Sequence, residues 1–125
     1  MNNAMVPLLG RILLSLLFFV AGYNKLMNVA GTTGYFAKLG LPAPEALVWA
    51  VIAVELVGAL LVLIGWQTRW VAWAMAIFTV ATALVGHKFW VDASQATQFL
   101  KNLAIAGGFL LLACAGPGRL SVDRR

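Results

Sequence analysis

Charged side chains enter this sequence almost singly, set between apolar runs each long enough to cross a bilayer. Few folds accept that pattern. A spanning helix needs about 20 mostly apolar residues, and four stretches qualify or come close. Their apolar cores run from about Met5 to Tyr23, Pro44 to Trp66, Trp70 to Gly86 and Phe99 to Ala115. With their flanks they predict helices over about 5–26, 44–66, 69–87 and 98–116. Arg11 is the one charge in the first core, Glu55 lies in the middle of the second, and the third carries none. The fourth is weakest because Lys101 and Asn102 shorten its clean apolar stretch; a re-entrant fourth segment is the alternative. The expected fold is all-α: an integral membrane four-helix bundle, read as a single domain over 1–125.

Composition supports lipid as the solvent. Of 125 residues, 62% are hydrophobic and 10% charged, against about 45–50% and about 25% in soluble domains. A chain this short cannot hide so much apolar surface from water. The net charge of +5 comes from scattered residues rather than a basic patch. Nucleic acid is therefore excluded as a partner. One cysteine, Cys114, and one histidine, His87, rule out an intrachain disulfide, a redox pair, a bis-histidine haem or a zinc cluster, so no metal is expected. Cys114 reads as a packing residue. The first apolar run is long for a cleaved leader and has no Lys or Arg before it, so it is taken as retained.

The links carry further information. About twenty residues, Asn24–Ala43, separate the first two spans. Within them Thr32 or Thr33 is placed to cap a short interfacial helix bearing Tyr35, Phe36 and Leu39, with Gly40 and Pro42 ending it. Pro44 suits the first turn of the next helix and Glu45 its positive end. The tight Trp66–Arg69 link predicts antiparallel neighbours. The link His87–Gln98 suits the headgroup region, and the tail Gly116–Arg125 reads as too short to fold. Four spans put both termini on one side, with Arg11, Arg69, Arg119, Arg124 and Arg125; Lys25, Lys38, Lys88 and Lys101 fall on the other. The bias of five to four is small, and it predicts cytoplasmic termini. Trp66, Trp70 and Trp73 on one side, and Tyr23, Trp49 and Trp90 on the other, fit aromatic belts. Ala104-x-x-x-Gly108 beside Gly107, Gly58 and Ala72-x-x-x-Ala76 offer close helix approach.

Polar residues inside the membrane are the ones able to carry chemistry. Arg11, Ser15, Phe18, Gly22 and Lys25 share one face of the first helix by spacing. Glu55 needs neutralisation or a cation, and Arg11 is the expected partner, either as a structural clasp or as a charged pocket wall. At the opposite face Asn24, Lys25, His87, Lys101 and Asn102 fall at helix ends. They form a candidate polar mouth over an apolar cavity, suited to a quinone head group. Ordinary snorkelling of the lysines is the alternative. No catalytic residue is identified.

The segments GRILLSLLFFVAGYNKL (10–26), VELVGALLVLIGWQTR (54–69), QFLKNLAIAGGFLLL (98–112) and GPGRLSVD (116–123) resemble the DoxX family, in order and with similar spacing. The resemblance implies a four-helix inner-membrane protein. It also implies, more loosely, an oxidoreductase-associated role, because the wider group includes the membrane subunit of a thiosulfate:quinone oxidoreductase and a membrane partner in an oxidative-stress complex. The chain holds no intrinsic cofactor motif, so a redox role rests on bound quinone or on a soluble or membrane redox partner protein. A non-catalytic anchor in the bilayer for such a partner, and a small transporter built as a homo-oligomer, are the competing classes.

Overall fold

The structure is a computed structural model that describes residues 3–124. Arg125, counted above with the termini-side arginines, lies outside the described residues. Helix α1 spans Met5–Leu26, α2 Val29–Lys38, α3 Pro44–Ile64, α4 Thr68–Gly86 and α5 Ala96–Ala115, with one 3₁₀ turn at Ala93–Gln95. The helices α1, α3, α4 and α5 (the last with its 3₁₀ turn) are long and apolar enough to cross a membrane. The fourth span is thus a complete 20-residue helix and not a re-entrant segment. Lys101 is exposed on it, while Asn102 turns partly inward.

Packing divides the bundle into two tight antiparallel pairs, α1 with α3 and α4 with α5. The α1 face predicted from spacing is the packed one: Arg11, Ser15, Phe18 and Gly22 are its buried residues. The main core joins Phe18 to Ala59, Val62, Ala72, Met75, Ala76, Phe109 and their neighbours. Phe18 sits between Phe109 and Phe78, at ring-centroid distances of 5.6 and 6.4 Å. The two pairs touch most closely in the half of the bundle near the termini. There, a Cβ on Gly58 would strike the side chain of Met75, and one on Gly108 would lie 3.3 Å from Leu14. Gly107 has no such neighbour, so only part of the small-residue pattern mediates contact. The exposed outer faces carry Trp49, Trp66, Trp70, Trp73 and Trp90.

Helix α2 forms where a short helix is predicted but begins earlier. Asn28 is its N-cap and accepts from the Gly31 amide. Thr32 and Thr33 sit inside the first turns and donate back to the Asn28 and Val29 carbonyls. Asn28 fits better because its carboxamide reaches the amide three residues on, which is what an N-cap must do. At the other end Gly40 takes φ 76°, its amide bonds the Ala37 carbonyl, and the Leu41 amide bonds the Phe36 carbonyl. This pairing satisfies the last carbonyls of the helix, and Leu41 then packs with Phe36, Val48 and Ile52.

The tail is not the loose end its length suggests. Val122 and Asp123 amides bond the Ile64 and Gly65 carbonyls. The Asp123 carboxylate accepts from the amides of Gln67 (3.0 Å) and Thr68 (2.8 Å), capping α4. Arg11, 1% exposed, donates to the carbonyls of Leu63 and Leu120. Arg69 does the same for α5 at Ala113 and Cys114. Helix C-termini leave carbonyls without partners, and their negative dipole ends attract cations; that is what holds the tail. Asp123→Ala is expected to lower stability by about 1 kcal/mol and to make the tail susceptible to carboxypeptidase. Thermal unfolding in detergent with timed digestion checks both.

Candidate functional site

Two antiparallel pairs in contact near the termini leave space at the other end. A cavity of about 470 Å³ opens there between them. Its walls are Leu17, Phe18, Ala21 and Lys25 of α1, Leu47, Val51 and Glu55 of α3, Phe78, Thr79, Thr82 and Val85 of α4, and Gln98, Asn102 and Ile105 of α5. Tyr35 and Phe36 of α2, with Leu39 just after it, close it from above. The Tyr35 hydroxyl donates to the Gly86 carbonyl at 3.3 Å, so α2 bridges α3 to the end of α4.

Glu55 belongs to this cavity, and its cation is Lys25 rather than Arg11. Lys25 Nζ lies 2.9 Å from Oε1 and 3.2 Å from Oε2, donating to Oε2. The carboxylate is 7% exposed and the lysine 26%. Gly22 sets this geometry: a Cβ there would come within 2.7 Å of Leu56 Cδ2 and 3.3 Å of Glu55 Cβ. Only glycine lets α3 approach so closely, which puts Glu55 one turn from Lys25. The expected Arg11–Glu55 pair fails on depth. It assumes that the start of the first helix and the end of the second lie in the same plane. The first turns of α1 instead pass the end of α3 and run beside the tail, where Pro7 meets Gly118. Arg11 is therefore level with the last turn of α3. Eleven residues separate it from Gly22, about 16 Å along the axis at about 1.5 Å each.

The predicted mouth assembles in part. Lys25, His87 and Asn102 line the cavity; Asn24 and Lys101 are exposed outside it. Adjacent residues lie about 100° apart on a helix, and α5 turns Asn102 toward the cavity and Lys101 away from it. Asn102 donates to the Thr79 carbonyl (3.3 Å) and the Thr82 hydroxyl (3.2 Å), pinning α5 to α4. His87 Nδ1 pairs with Gln95 Oε1 at 2.9 Å, which holds the ring at the rim. Sequence reasoning missed Thr79, Thr82 and Gln95. The two threonines were nevertheless visible as polar breaks in a span without charge. Among the described residues no group of His, Cys, Asp and Glu is arranged to hold a metal.

This arrangement is a lipid-embedded apolar chamber with a fixed ion pair on one wall and an amide–hydroxyl network on the other. The family model described as DoxX matches residues 6–88, which contain α1 to α4 and the Lys25–Glu55 pair. The chain belongs to the DoxX family. This DoxX protein is similar to inner membrane protein YphA of Escherichia coli (strain K12), 39% identical over 123 residues, covering 94% of this chain and 88% of the relative. It is also similar to inner membrane protein YqjF of the same organism, 42% identical over 117 residues with the same coverage. A third relative, CatD of Bacillus subtilis (strain 168), provisionally named an oxidoreductase, is 34% identical over 77 residues, covering 62% of this chain and 56% of CatD. No solved structure matches the chain.

The pair makes a quantitative prediction. Glu55→Ala or Lys25→Ala alone leaves its partner uncompensated and is expected to cost about 3 kcal/mol, whereas the double variant costs less than the sum. Arg11→Ala combined with Glu55→Ala is expected to be additive. A double-mutant cycle on thermal unfolding distinguishes the two partners of Glu55.

Proposed function

We propose that this DoxX protein is a multi-pass inner-membrane subunit that holds a quinone in the α1–α5 cavity and serves an oxidoreductase system. The observation that carries the reading is the cavity itself. Its apolar walls suit a ring and the start of a hydrocarbon tail. Lys25 has three N–H donors, of which Glu55 takes at most two, so one is left for a quinone carbonyl, while Asn102 and Tyr35 already donate to α4. Glu55, salt-bridged and inside the membrane, is the group placed to exchange a proton with such a head group. Electrons come from a redox partner protein, since the chain has no cofactor motif of its own. The naming of CatD supports the same class.

We further infer cytoplasmic termini. Lys25 is neutralised by Glu55, which removes one cation from the opposite flank and strengthens the arginine bias on the termini side. A C-terminal phosphatase fusion is expected to be inactive and a fluorescent-protein fusion bright; the reverse pattern overturns the orientation.

The test of function is mass spectrometry of small molecules retained by protein extracted with native lipid. Quinone is expected to be enriched over the bulk membrane and lost in Val51→Trp, whose added volume fills the cavity. No enrichment in the native protein sinks the reading and leaves a non-catalytic anchor for a partner complex.

A further inference from the structure

The cavity has a side wall that no third element covers. Helices α1 and α5 run antiparallel, and their registers can be aligned from one contact: Leu14 against Gly108. Going away from the termini, the α1 residues on that face are Leu17, Ala21 and Asn24. Those on α5 are Ile105, Lys101 and Gln98, following the helical period. Leu14 and Gly108 close the seam. Beyond them Leu17, Ala21, Ile105 and Gln98 all line the cavity. Leu17 lines the cavity and is still 46% exposed, more than its packed neighbour Phe18, so the cavity is not sealed at this position. The equivalent gap between α3 and α4 is different. There α2 packs on α3 through Phe36 and reaches α4 through the Tyr35–Gly86 bond. Helix α2 touches α1 but makes no approach to α5.

We propose that the α1–α5 seam is a lateral portal through which a lipid with a hydrocarbon tail and an acceptor-bearing head enters the cavity from the bilayer. This inference rests on the cavity being a quinone site. The portal accounts for the two polar residues that the cavity excludes. Asn24 and Lys101 stand on the facing edges of the seam, exposed, at levels where the register places them beside Gln98 and Ala21. Lys101 lies within the span and not at its end. A lysine there extends its ammonium toward the headgroup plane, along the path that an incoming head group takes. Its role is to position the head at the entrance. Lys25 holds it inside. The small side chain of Ala21 leaves the opening, and the tail remains between the helices in contact with lipid.

The experiment is timed binding of decylubiquinone, delivered from lipid vesicles, to the full chain in nanodiscs, with tail-less menadione as the comparison probe. Quinone recovered from the separated nanodiscs at each time, less that taken up by protein-free nanodiscs of the same lipid, reports occupancy. Asn24→Trp and, independently, Lys101→Trp, at seam edges outside the cavity, are expected to slow decylubiquinone association about tenfold and to leave menadione association within about twofold. Lys101→Ala is expected to slow association with little change in dissociation. If both tryptophan variants load at the native rate, or if Tyr35→Ala alone accelerates loading and the seam variants do nothing, entry is past α2 and the portal is overturned. If the native protein binds neither probe, the quinone reading fails and the portal with it. Circular dichroism and thermal unfolding identify a variant that misfolds, and the other seam variant then decides.

Discussion

A carboxylate in the hydrocarbon layer is tolerated only when a cation or a proton neutralises it, and much of this architecture follows from Glu55. To be paired it must sit within reach of Lys25. That requires α1 and α3 to be offset along their axes, and the offset requires close approach at Gly22. The same offset carries the start of α1 past the end of α3. Arg11 then meets the open carbonyls of that helix end and of the tail. One ion pair thus fixes the depth of the first helix, and with it the place of the second intramembrane cation.

Both cations on α1 find acceptors, but in different ways, and the buried Arg11 Nε is left without one. Arg11 spreads a planar guanidinium over two carbonyls from separate segments, a task suited to its rigid fork. Lys25 places a compact ammonium against a single carboxylate at the cavity wall. The bundle is accordingly closed and hydrogen-bonded at the termini end and hollow at the other. Phe18, Phe78 and Phe109 form the floor between the two halves.

Much of this was legible in the sequence. The four spans, the buried face of α1, the short helix between α1 and α3 and its glycine stop are all written in periodicity and turn chemistry. The family was legible from the quoted segments. The partner of Glu55 was not, because periodicity gives the rotation of a residue about its helix but not its depth relative to a neighbour. Gly22 carried that information, yet a glycine on a packed face says only that something comes close. The inward members of the mouth, Lys25, His87 and Asn102, were named, while Asn24 and Lys101 turned out to lie outside the cavity. Asp123 as a helix cap was hidden for another reason: its partners at Gln67 and Thr68 lie more than fifty residues away, and sequence spacing has no reach at that distance.

The docking of the tail has a consequence in time. Translation delivers Arg11 to the membrane long before Leu120. The bond between them spans 109 positions. Throughout synthesis a guanidinium destined for burial lacks one of its two carbonyl partners, and the N-terminus of α4 lacks its cap until Asp123 leaves the ribosome. Loop closure over such separations comes late. Assembly of this bundle is therefore locked last by residues 120–123, and a chain cut before Leu120 has every span it needs but no latch.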